Sequence, residues 1–368
     1  MIRNFCEAHK QLRLWIGVAA IVLTVLSAYW LLRSTSAAPQ DNCATLPNEI
    51  KGLESERTSL QKDLQKAAGA EKTGLLNQIK RINSEIQEKQ SQLDKCPKSC
   101  PGMRECTAEE KNTPPQVHVE FPGPNNMTLH GHLYVPGVSK LSELSGVTKK
   151  YPLMIYNHGS EPDPKGVPYL AKLYLDHGYS FFAPDRHGQG LSKDAGPYIV
   201  DLQHAAHDPA ASVQLHELYN KDVIAAVNWI KAQPYVDKEH IGMTGISYGG
   251  IQTLLTAEKD PGIDAYVPFA PSAESWGNTL LQDRLKTAVK NERAPMFIIQ
   301  AEGDYNLGPV NTLGAILLGK GNLERWKPKL YPKFGCTNQD AHARFSMHCD
   351  GIVIWDQDVV AFLDKWVR

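Results

Sequence analysis

Net charge is almost absent from this sequence: 39 Lys and Arg stand against 40 Asp and Glu over 368 residues, leaving −1. With no basic footprint, nucleic acid and other polyanions are excluded as the expected partners. Zinc-finger spacing is missing too. The one cysteine-dense stretch, "CPKSCPGMREC" (96–106), matches no standard finger and has no histidine following at ligand distance, so no metal is expected. No internal repeat is evident in the strand-like part of the chain. Forty-two per cent of residues are apolar, enough for a sizeable core and so for a globular enzyme.

One long hydrophobic run is present. Arg3, Lys10 and Arg13 precede the uncharged segment Leu14 to Leu32, and Arg33 closes it. At about 1.5 Å per residue, such a helix spans roughly 28 Å, close to the thickness of a bilayer's hydrocarbon layer. Trp15, Tyr29 and Trp30 lie near its ends, where aromatic belts sit. Residues 1–33 therefore read as a cytoplasmic stub with a transmembrane signal anchor, which places the rest of the chain in the periplasm or outside the cell. The alternative is secretion after signal cleavage at "STSAA", although the apolar run exceeds the roughly 7 to 15 residues usual in a signal peptide.

Export changes how the cysteines read. Cys43, Cys96, Cys100, Cys106, Cys336 and Cys349 then share an oxidising compartment, with fifteen pairings open to them. Proximity in sequence suggests Cys100 with Cys106, Cys336 with Cys349, and Cys43 with Cys96.

Residues 34–96 form a helical region. Ile50, Leu53, Leu60 and Leu64 mark one apolar stripe, and Leu75, Ile79, Ile82, Ile86 and Leu93 mark another, out of phase with the first. Between them, "AAGAEKTG" carries Gly69 and Gly74, which favour a break. An antiparallel hairpin is expected, with an intermolecular coiled coil as the alternative; the latter would make this region a surface for self-association or a protein partner.

A cysteine-rich linker (97–114) leads to a different pattern in residues 115–368. "QVHVEFPG" and "MTLHGHLYVPG" alternate about the turn "PGPNN" and read as a hairpin. "PLMIYNHG", "YSFFAPD", "HIGMTG", "DAYVPFA", "APMFIIQ" and "KPKLYP" follow as short apolar strands, most of them separated by helical stretches. Strands alternating with helices predict a mostly parallel sheet covered on both faces.

The chemistry concentrates at three points. "GISYG" places Ser247 between Gly245 and Gly249, after a strand and before a helix, the setting of a nucleophile elbow. A serine hydroxyl needs a base, and the base needs a third group to orient it. "MFIIQAEGDYNLGP" supplies Asp304 in the loop after a strand, preferred over Glu302, which lies nearer the strand end. Downstream only His342 and His348 remain as bases. The Tyr248 N–H, with that of Gly159 or Ser160, is expected to form the oxyanion hole. His158 falls on the wrong side of the triad order and reads as structural. "SKDAGPYIVDLQHAAHDPAASVQLHELYN" (192–220) reads as a small lid whose His204, His207 and His216 match no metal signature.

"YNHGS", "FFAPDRHGQGLS", "DVIAAVNWI", "TGISYGG", "QAEGDYNLGP" and "VVAFLDKWV" together resemble the dienelactone hydrolase-like branch of the α/β-hydrolase family, and are similar to prolyl oligopeptidase catalytic domains. The resemblance covers about residues 115–368. It implies an eight-stranded α/β-hydrolase fold, a Ser247–His342–Asp304 triad and hydrolysis of an ester, thioester or amide through an acyl-enzyme; no cofactor is expected. Dienelactone hydrolases themselves use a cysteine nucleophile, so their lactone substrate does not carry over. Around the histidine the family pattern G-H-G-F is replaced by "DAHARF", which raises the question of whether Arg344 reads an acidic group of the substrate or lies on the surface. With no β-propeller ahead of the domain, the first expectation is a membrane-anchored carboxylesterase; a peptidase or amidase on short peptides is second, and an inactive tethered scaffold third.

Overall fold

The computed structural model describes residues 45–67, 69–93 and 100–368. Cys43, Cys96 and the apolar run 14–32 lie outside the described residues. No helix among the described residues is long and apolar enough to cross a membrane. The chain divides into two compact units, Met1–Cys96 and Pro97–Arg368.

In the first unit, α1 (Leu46–Leu64) and α2 (Gly69–Leu93) form an antiparallel hairpin. The turn ends at Gly69, whose φ of +60° suits glycine; Gly74 does not break the chain and sits inside α2. Glu49 pairs with Lys89 at 2.5 Å and Arg57 donates to Asn83, so the residue numbers run in opposite senses. Leu46, Ile50, Ile79 and Ile82 are buried. The two apolar stripes thus cover each other within one chain.

The second unit is built on one eight-stranded sheet: β1 (Val117–Pro122), β2 (Thr128–Tyr134), β3 (Tyr151–Asn157), β4 (Ser180–Asp185), β5 (Val236–Ile246), β6 (Ala265–Phe269), β7 (Met296–Ala301) and β8 (Trp326–Tyr331). Their order is β1-β2-β4-β3-β5-β6-β7-β8. Only β2 runs against the rest; β3 to β8 pair in parallel. β4, β6 and β7 are buried along their whole length, because helices cover both faces and leave no wet side to alternate with. On one face α5 (Pro209–Lys231), α6 (Tyr248–Glu258) and α7 (Thr279–Asn291) pack through residues such as Val223, Leu254 and Leu285. On the other, α3 (Pro168–Asp176) and α8 (Cys349–Trp366) contribute Leu170, Tyr174, Trp355 and Leu363. Between β4 and α5 a further helix, α4 (Ile199–Ala206), forms the segment read as a lid. This is the α/β-hydrolase fold.

The disulfides differ from the expectation. Cys100 pairs with Cys336 and Cys106 with Cys349, not Cys100 with Cys106 and Cys336 with Cys349. The strap holding Cys100 and Cys106 has no helix or strand between Met103 and Thr107 to fold one cysteine back on the other. It lies instead along segment 334–350: Gly335 N–H donates to Pro101 O at 2.7 Å, and Arg104 N–H to Asp350 Oδ2 at 3.2 Å. That contact brings each strap cysteine to a partner more than 230 residues away, with Cα–Cα distances of 5.1 and 5.8 Å.

Candidate active site

Parallel strands put the residues that follow them at one edge of the sheet, and β5, β7 and β8 deliver Ser247, Asp304 and His342 to that edge. β5 enters α6 through Ser247, whose φ of 55° and ψ of −115° lie outside the regions open to most residues. Such a turn survives because its surroundings fix it: Ser247 N–H donates to Phe269 O, and its carbonyl accepts from Ile251 and Ser272. The flanking glycines are needed for close approach. A Cβ at Gly249 would lie 1.8 Å from Asn157 O, and one at Gly245 would lie 2.8 Å from Asn157 Cβ.

Asp304 follows Gly303, whose φ of +94° turns the chain after β7. Its carboxylate is buried and fully employed: Oδ1 lies 2.9 Å from His342 Nδ1 and accepts from Tyr305 N–H at 2.6 Å, while Oδ2 accepts from Gln300 at 2.9 Å. With Nδ1–H given to Asp304, the remaining lone pair is on His342 Nε2, which no group among the described residues takes. That is the arrangement a general base requires. Glu302, by contrast, is exposed.

His342 sits in a tight turn over Asp340–Arg344. The turn is prepared by Asp340, whose Oδ2 accepts from Cys336 N–H, Thr337 N–H and the Thr337 hydroxyl, and Ser346 donates to His342 O. His348 is engaged elsewhere, 2.7 Å from Asp350 Oδ1 and against the Cys106–Cys349 bridge. Arg344 also binds Asp350, at 2.9 Å, and reaches Arg104 O, so it serves the strap and not the site. Cys106, His348 and Cys349 have metal-ligand geometry, but both sulfurs are spent in the disulfide.

β3 adjoins β5 with Asn157 level with Gly245, which sets the loop His158–Ser160 beside the elbow. Tyr248 heads α6, so its N–H is one of those that the first turn of a helix leaves without an intrahelical partner. His158 is buried, and burial, reinforced by the Arg186 guanidinium, holds its imidazole well below the ordinary range. A neutral ring there is a structural ring. His216 is also buried and is pushed down to about 3 by burial; its ring lies 5.0 Å from that of Tyr248. His204 and His207 lie on α4 and at its end, and the three do not gather. Sequence reasoning passed over Gln300 and Arg186. The signal for Arg186 was an arginine directly after the end of a strand, in "FFAPDRHGQG".

The family described as X-Pro dipeptidyl-peptidase (S15 family) matches residues 109–300, more than half of the chain. The chain belongs to that family. Among curated proteins it is 26% identical over 206 residues to Polyketide transferase grgF from a Penicillium species, covering 56% of this chain and 61% of that one. It is 24% identical over 200 residues to Dipeptidyl-peptidase 5 of Porphyromonas gingivalis, covering 43% of this chain and 26% of that one. The chain thus spans less than two thirds of either relative. Among solved structures, the Pyrococcus horikoshii acylaminoacyl peptidase aligns with a TM-score of 0.50 at 17% identity, over 72% of this chain and 44% of that one, a likeness of fold.

Proposed function

We propose that this chain is an extracytoplasmic serine peptidase that cleaves short peptides through an acyl-enzyme on Ser247. The observation that carries the reading is the S15 family match over residues 109–300, which moves the peptidase ahead of the carboxylesterase expected first from the sequence. The relative Dipeptidyl-peptidase 5 supports the same direction. An ester or thioester reading is kept as second, on the strength of the polyketide transferase relative.

In the proposed mechanism Ser247 Oγ attacks the substrate carbonyl carbon while its proton passes to His342 Nε2. The oxyanion is held by the N–H of Tyr248 and that of Gly159 or Ser160. His342 then gives its proton to the leaving nitrogen, the C–N bond breaks, and a water repeats the sequence to free the acid. Asp304 keeps the imidazole in the correct tautomer and stabilises it when charged. Anchoring through residues 14–32 belongs to the same proposal, and the two disulfides support an oxidising compartment for the second unit.

A fluorophosphonate adduct mapped to Ser247, absent from Ser247→Ala, is the expected first result. Dipeptidyl p-nitroanilides and p-nitrophenyl esters are then compared on the labelled-competent protein. Turnover of esters alone would hand the function to the second reading, and no adduct on folded protein would leave the tethered scaffold.

A further inference from the structure

Three successive carbonyls beside the elbow are all held by donors. Arg186 Nη2 donates to His158 O at 2.8 Å and to Gly159 O at 2.6 Å. Gly159 O also lies 3.4 Å from Gln189 Nε2 and 3.0 Å from His158 Nδ1. The Tyr198 hydroxyl donates to Ser160 O. The protein has no cis peptide bond among its described residues, and in a trans peptide the N–H points opposite to the C=O of the same unit. The N–H groups of Gly159 and Ser160 are therefore turned away from the guanidinium, and no protein acceptor among the described residues takes either.

Arg186 is itself fixed. It is 1% exposed, its Nε donates to Gln189 at 3.3 Å, and its guanidinium lies 4.2 Å from the ring centroid of Tyr248, the residue offering the other oxyanion donor. One buried cation therefore touches both halves of the expected hole. Flipping the Gly159–Ser160 peptide would aim an N–H at that cation and strip Gly159 O of its donors, a double penalty in a dry site.

We propose that Arg186 is a positioning residue: it holds His158–Ser160 with N–H groups outward, so that the Ser160 donor is in place before substrate arrives. The inference rests on Ser247 being the nucleophile of a serine hydrolase. A lysine cannot replace Arg186: an ammonium has no Nε to hold Gln189 while another nitrogen serves the two carbonyls, and no plane to lie against the Tyr248 ring.

The test uses the full chain, p-nitrophenyl butyrate as probe, and four proteins: wild type, Arg186→Lys, Ser160→Pro, which deletes the donor, and the double variant. Arg186→Lys is expected to lower kcat about 100-fold, the scale of one lost oxyanion donor, with KM within about threefold, both read at a temperature where circular dichroism shows the variant folded. The double variant is expected to be no slower than Ser160→Pro, because both changes remove one donor. A kcat within twofold of wild type in Arg186→Lys, or losses that multiply in the double variant, would overturn the positioning role. Should Ser160→Pro fail to fold, the kcat and KM of Arg186→Lys decide alone. Fluorophosphonate labelling of wild type separates the two levels: absence of an adduct sinks the hydrolase reading and this role with it, whereas a labelled wild type beside an unaffected Arg186→Lys sinks the role only.

Discussion

Removing the bridge between Cys106 and Cys349 by changing both to alanine tests how the histidine segment is held. Taken alone, a crosslink across 243 residues would restrict the unfolded chain by about 5 kcal/mol. The Cys100–Cys336 bridge already closes nearly the same loop, however, so the second bridge closes only a ring of about 21 residues, seven from the strap (100–106) and fourteen from segment 336–349. For a ring of that size the loss is about 3 kcal/mol. In a unit of this size that corresponds to a melting temperature lower by about 6 to 12 °C. Turnover should fall much less, within about threefold. The Asp340 cap, the Ser346 bond to His342 O and the Trp355 bond to Phe345 O hold the turn without the sulfurs. Removing all four cysteines should release the strap and lower turnover at least tenfold. Differential scanning calorimetry and p-nitrophenyl ester turnover measure both effects. Thiol mapping of the single variant Cys106→Ala decides the pairing: the free thiol should appear at Cys349, and a free thiol at Cys100 would refute the reasoning.

Three further outcomes are expected. Asp304→Asn keeps the shape of the site but favours the wrong imidazole tautomer, so kcat should drop by about three to four orders of magnitude with little change in melting temperature. His342→Ala should abolish fluorophosphonate reactivity at pH 7, whereas His348→Ala, whose ring serves Asp350, should leave it within about twofold and cost about 1 kcal/mol of stability by urea unfolding. Burial raises the Glu292 carboxyl to about 7. Because the folded value lies above the unfolded one, its contribution is fully present below about pH 4.5 and is lost as pH rises through 7, so Glu292→Gln should be more stable than wild type at pH 8, by about 3 kcal/mol at most, and equal to it at pH 4. Urea unfolding of the pair at the two pH values checks the sign, and a gap that widens toward acid would be contrary to it.

The central strands were legible because strands buried on both faces write themselves as short unbroken apolar runs closed by Gly, Pro, Asn or Asp, as in "MFIIQAEGD" and "FFAPD", whereas β1 and β2 showed as an alternating hairpin. Their spatial order was not legible, since alternation of strand and helix does not say that β4 lies between β2 and β3. The hairpin was legible from two stripes out of phase, each needing a cover. Ser247 and Asp304 stood out as candidates because elbow and strand-end loop are local patterns. Gln300 and Arg186 could not, because a polar residue that orients another side chain or a distant carbonyl is defined by a contact: Arg186 meets a loop 28 positions away. Only its place, an arginine at the end of a buried strand, hinted that it had work inside.

The cysteines misled for a physical reason. Choosing partners by proximity assumes that the shortest loop wins, yet closure entropy grows only with the logarithm of length, so joining Cys100 to Cys336 in place of Cys106 costs about 3 kcal/mol more in the unfolded chain. Packing decides against a difference of that size easily. Phe334 and Phe345 lie in one buried cluster with Met103 packed against it, and Gly102 sits so close to Phe334 that a Cβ there would be 2.6 Å from its ring. The strap is thus held by the core as well as by its sulfurs. Once they react, every strand from β1 to β8 lies inside the covalent ring, and the last site residue along the chain, His342, is bracketed by crosslinks to the first residues of its unit. The histidine comes 11 residues after the end of β8, whereas Ser247 and Asp304 follow β5 and β7 by 1 and 3. Of the three candidate triad positions it is therefore the one that the sheet alone fixes least and the strap restrains most.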